Sequence, residues 1–321
     1  MKMIDLDHIL QHAESVGIAG HIRPDGDCTG SCLGLYNFIR TYYPNISVKV
    51  NLQPFSESFS FLQGSDEVDH ESSQDRSDDV FFCLDCGDAA RLGDNVKYFE
   101  NAAHTVCIDH HISNLSFADE NLIVPDASST SELVADLIGA DRFTKEIAEC
   151  LYLGIVHDTG VFQYSCTSSH TMEIAGRLME TGIDYSTIVA DTFFVKTHLQ
   201  QKLLGHALEA SVLSADGKII SCGIDRQTLE KFGAAPSDLD GIVAVLRNTK
   251  GVETAIFMYE TDDGLTKVSM RSGNVVDVAR IAVSYGGGGH KKAAGCSMAG
   301  TFAEILDKLL EQITEQLNYE E

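Results

Sequence analysis

Two rhythms of apolar and polar positions alternate through the first part of the chain. Apolar residues returning every three or four positions mark helices near Asp5 to Ser15, Gly30 to Thr41, Ser131 to Ile138 and Lys145 to His157. Short apolar runs mark strands at Gly17 to His21, Ile46 to Asn51, Val80 to Leu84 and His104 to Ile108. Strands separated by helical segments predict βαβ units, and therefore an α/β fold with a doubly wound, mainly parallel sheet. Ser128, Ser129 and Thr130 stand ahead of the Ser131 helix as capping candidates.

The rhythm changes near Ile183 to Lys196, and an amphipathic stretch follows at His198 to Ser211. Beyond it the pattern predicts a strand at Lys218 to Ile224 and helices at Asp225 to Phe232 and Ser237 to Asn248. Strands at Val252 to Tyr259 and Leu265 to Arg271 come next, then helices at Val275 to Ser284 and Phe302 to Leu317. Asp262-Asp263-Gly264 suits a hairpin turn between the two later strands. The expected organisation is a catalytic domain over 1–190, a connection over 191–204, and a smaller α/β domain with a mixed sheet over 205–321. The polar stretch Asp66 to Asp79 reads as a solvated loop.

Composition narrows the class. A chain of 321 residues that is 44% apolar has material for two buried cores. No apolar run reaches membrane-spanning length, and the opening MKMIDLDHILQHAE lacks the apolar stretch of a signal peptide, so a cytoplasmic protein is expected. Nine cysteines, scattered from Cys28 to Cys296, lack the pairing of a disulfide framework and read as reduced thiols. The single C-x-x-C, Cys83 to Cys86, has no second pair and reads as structural rather than zinc-binding.

The net charge of −25 argues against a stable long nucleic-acid partner, which a basic stripe would grip. The excess is uneven: residues 1–190 hold 10 Lys/Arg against 30 Asp/Glu, and residues 191–321 hold 13 against 18. Much of the N-terminal excess is expected to be a solvated acidic surface, but some of those carboxylates sit in apolar surroundings, where an unneutralised charge is expensive.

Those carboxylates fall in four clusters that also hold histidine or end a strand. They are His21-Ile22-Arg23-Pro24-Asp25-Gly26-Asp27, Leu84-Asp85-Cys86-Gly87-Asp88, Asp109-His110-His111 and His157-Asp158-Thr159-Gly160. In an open α/β sheet the carboxyl ends of the strands form the ligand crevice, so the clusters are expected to converge there. Close carboxylates repel unless cations neutralise them, and a pair of divalent metals is the simplest neutraliser. Taken singly the signals are weaker: Asp88 reads as a turn or cap, His104 as structural, and His157 as packed or ligating.

The blocks HIRPDGDCTGS, LDCGD, DHH and GIVHDTGVF, followed by GGGGH, closely resemble the DHH phosphoesterase family with its DHH-associated C-terminal domain. SSTSELV and GGGGHKKAAG resemble the nanoRNase branch, whose members degrade short oligoribonucleotides and often dephosphorylate 3′-phosphoadenosine 5′-phosphate. The resemblance implies one metal on His21, Asp25 and Asp85, and another on Asp27, Asp85, His110 and Asp158, with Asp85 bridging. Oxygen donors with one imidazole per site favour Mn²⁺, with Mg²⁺ as the other choice. Asp109 would orient a histidine and His111 would contact the reacting phosphate. Where the family usually carries a small polar residue before the last Asp, this chain has His157.

For the second domain the resemblance implies phosphate or base contacts from Arg271, Ser272, Gly287, Gly288, Gly289 and His290. Successive glycine N–H groups over Gly286 to Gly289 would suit an anion nest, and Arg91 and Lys291 are secondary candidates. The expected partners are short RNA and small nucleotides, with no membrane, and a homodimer is compatible with this reading. Two rival readings remain open: a cyclic or linear dinucleotide phosphodiesterase, and a nucleotide-sensing module without catalysis.

Overall fold

The computed structural model describes residues 4–73 and 75–318 and divides into two units, Met1–Val195 and Lys196–Glu321. Unit 1 carries α1 (Leu6–Leu10), β1 (Ser15–Ala19), α2 (Gly26–Tyr42), β2 (Ser47–Asn51) and β3 (Val80–Leu84). It continues with α3 (Val96–Asn101), β4 (Thr105–Asp109), β5 (Glu120–Ile123), α4 (Thr130–Ile138), α5 (Lys145–Asp158), α6 (Ser169–Glu180) and α7 (Tyr185–Val189).

Its five strands form one all-parallel sheet in the order β2-β1-β3-β4-β5, as the βαβ rhythm predicts. Alternation along the strands supplies both faces with apolar side chains. Ile18, Phe82, Leu84, Val106 and Ile108 pack with α2, α4 and α5, whereas Phe81, Cys83 and Cys107 pack with Tyr98 of α3. The order reverses between β1 and β3, the switch point at which a doubly wound sheet opens a crevice. Ala19 and Leu84 end the two strands that flank it.

Two helices differ from the periodicity-based expectation, each for a local reason. The first stops at Leu10, not Ser15, because the Asp79 carboxylate accepts the N–H groups of Glu14 and Ser15 at 2.8 and 2.9 Å and draws them into β1. The second starts at Gly26, not Gly30, because Asp25 caps it, accepting from the N–H groups of Asp27 and Cys28 at 3.1 Å each. Gly30 lies inside that helix. A side chain there would collide with the Cys150 carbonyl of α5, so glycine lets α2 and α5 approach closely.

Unit 2 carries α8 (His198–Ala210), β6 (Val212–Ser214), β7 (Ile219–Ile224), α9 (Arg226–Phe232), α10 (Ile242–Arg247), β8 (Thr254–Glu260) and β9 (Thr266–Ser272). It ends with α11 (Val278–Ser284), β10 (Gly288–His290), β11 (Ala293–Met298) and α12 (Phe302–Asn318). Its six strands form a mixed sheet, β10-β11-β9-β8-β7-β6, in which only β7 and β8 run parallel. Ile256 and Met258 face α11 and α12, whereas Ala255 and Phe257 face α8, α9 and α10. Leu203 and Ala207 of the amphipathic α8 are wholly buried in that second cluster. The helix expected over Ser237 to Asn248 is a 3-10 turn, Pro236–Leu239, and a separate α10, divided at Gly241 with φ +88°.

Candidate functional site

Three loops leave the carboxyl edge of the parallel sheet next to one another, after β1, β3 and β4, and they deliver His21, Asp85 and His110. Asp25 and Asp27 come from the start of α2, and Asp158 is the last residue of α5. Asp85 has φ +55°, a left-handed conformation that a non-glycine residue adopts at a cost of roughly 1–2 kcal/mol. Its N–H is held by the Ile108 carbonyl at 3.0 Å.

The two oxygens of the Asp85 carboxylate face different partners. Oδ2 lies 3.4 Å from Nε2 of His21, which is itself 3.7 Å from Asp25 Oδ1. Oδ1 lies 3.7 Å from Nε2 of His110, which also neighbours Asp158 Oδ2 at 3.2 Å and Asp27 Oδ2 at 4.0 Å. The six residues assigned to metal by resemblance therefore stand in two sets that share Asp85. Each histidine turns Nδ1 to a backbone carbonyl, Ile22 at 2.9 Å and Ala127 at 3.3 Å. A proton on Nδ1 leaves the lone pair on Nε2, which faces the carboxylates.

The charge balance tests whether cations fit. Asp27 is pushed up to about 7 by burial and by Asp85, and Asp158 to about 8 by burial and by Asp27. Burial alone would lower both histidines. Hydrogen bonds to Asp25 and Asp85 nevertheless raise His21 to about 11, and Asp27, Asp158 and Asp85 raise His110 to about 9. Protons are thus drawn to the cluster to offset its negative charge, the role divalent cations would fill. Among the described residues, three groups could hold a metal ion, with ligand atoms within 4.8 Å of one another: Asp27 with His110 and Asp158, Asp85 with His110 and His111, and His21 with Cys28 and Asp85.

Cys28 was not anticipated there. Burial and the neighbouring Cys32 push its thiol well above the usual range, so it is not a ready thiolate, and the donors that fit are oxygen and imidazole nitrogen. All nine cysteines are free, and Cys83 and Cys86 lie in the apolar cluster behind the sheet.

The remaining predicted residues also have defined places. Asp109 is fully buried and accepts from His111 Nδ1 at 2.7 Å and from Asn114 Nδ2 at 2.8 Å. Burial pulls the His111 pKa down, but the hydrogen bond to Asp109 and the negative charges of Asp85 and Asp109 together raise it. Asp88 caps a 3-10 turn by accepting the Arg91 N–H, and His104 meets Glu120 at 3.1 Å, so both are structural. Arg91 and Lys291 are exposed. His157 bonds Thr192 Oγ1 at 3.0 Å, stacks edge-on with Phe59 and Phe193, and covers Gly26, where any side chain would strike its ring.

Hydrogen-bond partners of the acidic cluster escaped sequence reasoning. The N–H groups of Thr130 and Ser131 donate to the two oxygens of Asp27 at 2.7 and 2.9 Å, and the Thr130 hydroxyl donates to Asp85 Oδ1 at 3.2 Å. The run Ser128-Ser129-Thr130 was legible only as a cap, which Ser129 does supply, accepting from the Glu132 N–H at 3.0 Å.

In unit 2, Arg271 of β9 pairs with Ala293 of β11, and Ala293 pairs with His290 of β10. Directly opposed residues share a face, so Arg271 and His290 flank the small Ala293 in one row. Ser272 points the other way; it is buried, and its hydroxyl donates to the Lys291 carbonyl at 3.3 Å. The glycine run is not an open loop. Gly288, Gly289 and His290 form the edge strand β10, and Gly287 packs on Gly295 and Cys296 of β11.

Residues 15–155 match the DHH family, N-terminal domain, and residues 216–318 match the DHHA1 domain. The bifunctional oligoribonuclease and PAP phosphatase NrnA of Bacillus subtilis is 33% identical over 87% of this chain and 87% of its own length. The protein of the same name from Thermus thermophilus is 27% identical over 98% of this chain and 94% of its own. Among solved structures, an exopolyphosphatase-related protein from Bacteroides fragilis superposes with a TM-score of 0.89 at 27% identity, covering 96% of this chain and 94% of that one. The chain belongs to the DHH family, its DHH domain followed by a DHHA1 domain.

Proposed function

We propose that this protein is a metal-dependent phosphoesterase that hydrolyses short oligoribonucleotides to mononucleotides and 3′-phosphoadenosine 5′-phosphate to AMP. The observation that carries the reading is Asp85, whose two carboxylate oxygens serve two separate sets of histidine and aspartate. One cation would take His21, Asp25 and Asp85, and the other Asp27, Asp85, His110 and Asp158. The donor set suits Mn²⁺ first and Mg²⁺ second. When bound, such a pair supplies positive charge to phosphate oxygens and lowers the pKa of water at neutral pH.

The chain's own groups do the rest. Asp109 fixes the His111 ring through Nδ1 and favours its protonated form, which is suited to donate to a phosphate oxygen as negative charge builds. The row of Arg271 and His290 suits a terminal phosphate or a base, the guanidinium offering a planar pair of donors. The absence of a basic stripe over a chain of −25 charge favours short ligands over long RNA. Nine free thiols suit a reducing compartment such as the cytoplasm. No helix among the described residues is long and apolar enough to cross a membrane.

A second reading has a specific basis. A cyclic-di-AMP phosphodiesterase, PdeA of Listeria monocytogenes, is 27% identical over 96% of this chain, which spans 48% of that protein. One panel separates the two: turnover with Mn²⁺ of dinucleotides, five-residue RNA, long RNA, cyclic dinucleotides and 3′-phosphoadenosine 5′-phosphate. Fastest turnover is expected on the shortest linear RNA and on 3′-phosphoadenosine 5′-phosphate. Preference for cyclic dinucleotides would move the assignment to the second reading, and no metal-dependent hydrolysis at all would leave a sensing module.

A further inference from the structure

Asp27 and Asp85 come from distant parts of the chain, the first turn of α2 and the loop after β3, and both are buried. Two carboxylates brought together in this way repel, and neither donates to the other. Thr130 hydrogen-bonds both. Thr130, wholly buried at the first position of α4, donates its N–H to Asp27 Oδ2 at 2.7 Å and its hydroxyl to Asp85 Oδ1 at 3.2 Å. Those are the same two oxygens that face His110 Nε2, at 4.0 and 3.7 Å. The other Asp27 oxygen is held by the N–H of Ser131 at 2.9 Å, so its carboxylate lies across the start of the helix with both oxygens bonded.

We infer that Thr130 is a positioning residue for the cation site formed by Asp27, Asp85, His110 and Asp158, its backbone and side chain setting the spacing of two ligand oxygens. This rests on the two-metal reading above. The N–H contribution belongs to the helix and survives any substitution except proline, whereas the hydroxyl is specific to Thr or Ser. A purely space-filling role predicts the opposite pattern, because Val matches the shape of Thr and Ser lacks its methyl.

That opposition defines the experiment. Mn²⁺ titrations of metal-free wild type, Thr130→Val and Thr130→Ser, by calorimetry and by the electron paramagnetic resonance of free Mn²⁺, report affinity independently of turnover. Melting of the metal-free proteins checks the fold. Removing a hydrogen bond behind a metal ligand costs about 10–100-fold in affinity, so Thr130→Val should weaken one of two sites by that factor. Thr130→Ser should stay close to wild type, and excess Mn²⁺ should restore much of the kcat lost by Thr130→Val. Wild-type isotherms for Thr130→Val overturn the inference, as does weakening by Thr130→Ser equal to that by Thr130→Val. Should the Val variant not fold, Thr130→Ala against Thr130→Ser carries the same comparison. A wild type that binds no Mn²⁺ would overturn the two-metal reading itself, a result distinct from two intact sites insensitive to Thr130.

Discussion

The two units bury different things. Up to Val195 there are 10 Lys/Arg against 31 Asp/Glu, and beyond it 13 against 17. Among the described residues every buried carboxylate lies in unit 1: Asp27, Asp78, Asp85, Asp109 and Glu132. The buried polar side chains of unit 2 are the hydroxyls of Ser221, Thr254, Thr266 and Ser272. Most of the buried acids have ordinary partners. Asp78 pairs with Arg76 at 2.9 Å, Glu132 accepts from Ser128, Asp109 from His111 and Asn114, and Asp27 from the start of α4. Asp85 is the exception, with one hydroxyl at 3.2 Å and histidines on both sides. A carboxylate buried with so few donors points to a ligand, because the desolvation cost must be offset by something.

Sheet type explains where each unit keeps its chemistry. A parallel sheet sends all its strands out at one edge, so residues at the ends of β1, β3 and β4 gather without further design. In the mixed sheet of unit 2 the ends are divided between two edges, and its candidate residues line up across β9, β11 and β10.

Substitutions at each kind of position sharpen this contrast, and the largest effect is expected at Asp85. Asp85→Ala removes the carboxylate common to both sets, so Mn²⁺ stoichiometry and kcat should both fall. Several kcal/mol of charge stabilisation corresponds to on the order of a thousandfold in rate. Near-normal turnover with two bound Mn²⁺ would refute the shared-ligand assignment. Arg271→Ala should act differently, raising KM for short nucleotides about 10–100-fold through loss of a charge-assisted contact, with a smaller fall in kcat. Hydrolysis of a small generic phosphodiester, which offers no second phosphate or base for Arg271 to bind, should hardly change. Equal loss on that ester and on dinucleotides, with folding intact, would place Arg271 in the reaction itself and erase the contrast between the units.

A further expected effect is a dependence on acidity. Metal-free His21 and His110, raised to about 11 and about 9, hold protons at pH 6 to 8 that a cation must displace. Groups whose protons compete with the metal bind it more tightly as pH rises, so Mn²⁺ affinity should increase from pH 6 to 8. The slope should be up to about tenfold per unit for each proton released. Calorimetry in buffers of different ionisation heat counts those protons, and a pH-independent affinity with no proton release would show that the histidines are not ligands.

Much of the site was legible because its residues occupy positions that local rules identify. Asp85, Asp109 and His110 follow apolar runs that could only be buried strands, and His21 follows a shorter one. Asp25 and Asp27 were legible as chemistry but not as architecture, since periodicity started the helix at Gly30 and overlooked the cap that begins it at Gly26. The glycine run 286–289 looked like an anion nest from local flexibility, yet pairing with β11 makes part of it an edge strand. Register with a partner strand cannot be read from a segment of glycines, which has no alternation of its own.

By itself, the sequence determined the α/β class, the strand ends that carry His21, Asp85 and His110, and the concentration of acid in the first unit. Each of these depends on short-range pattern, on residues within a turn or a strand of one another. Tertiary structure decided that Asp158, at the end of a helix, reaches the same place as residues after strands, because close packing at Gly30 brings α5 onto α2. It also decided that Thr130 holds Asp27 across 103 positions and Asp85 across 45. A hydroxyl-rich run ahead of a helix reads identically whether its N–H groups face water or a carboxylate, and only the fold supplies the carboxylate.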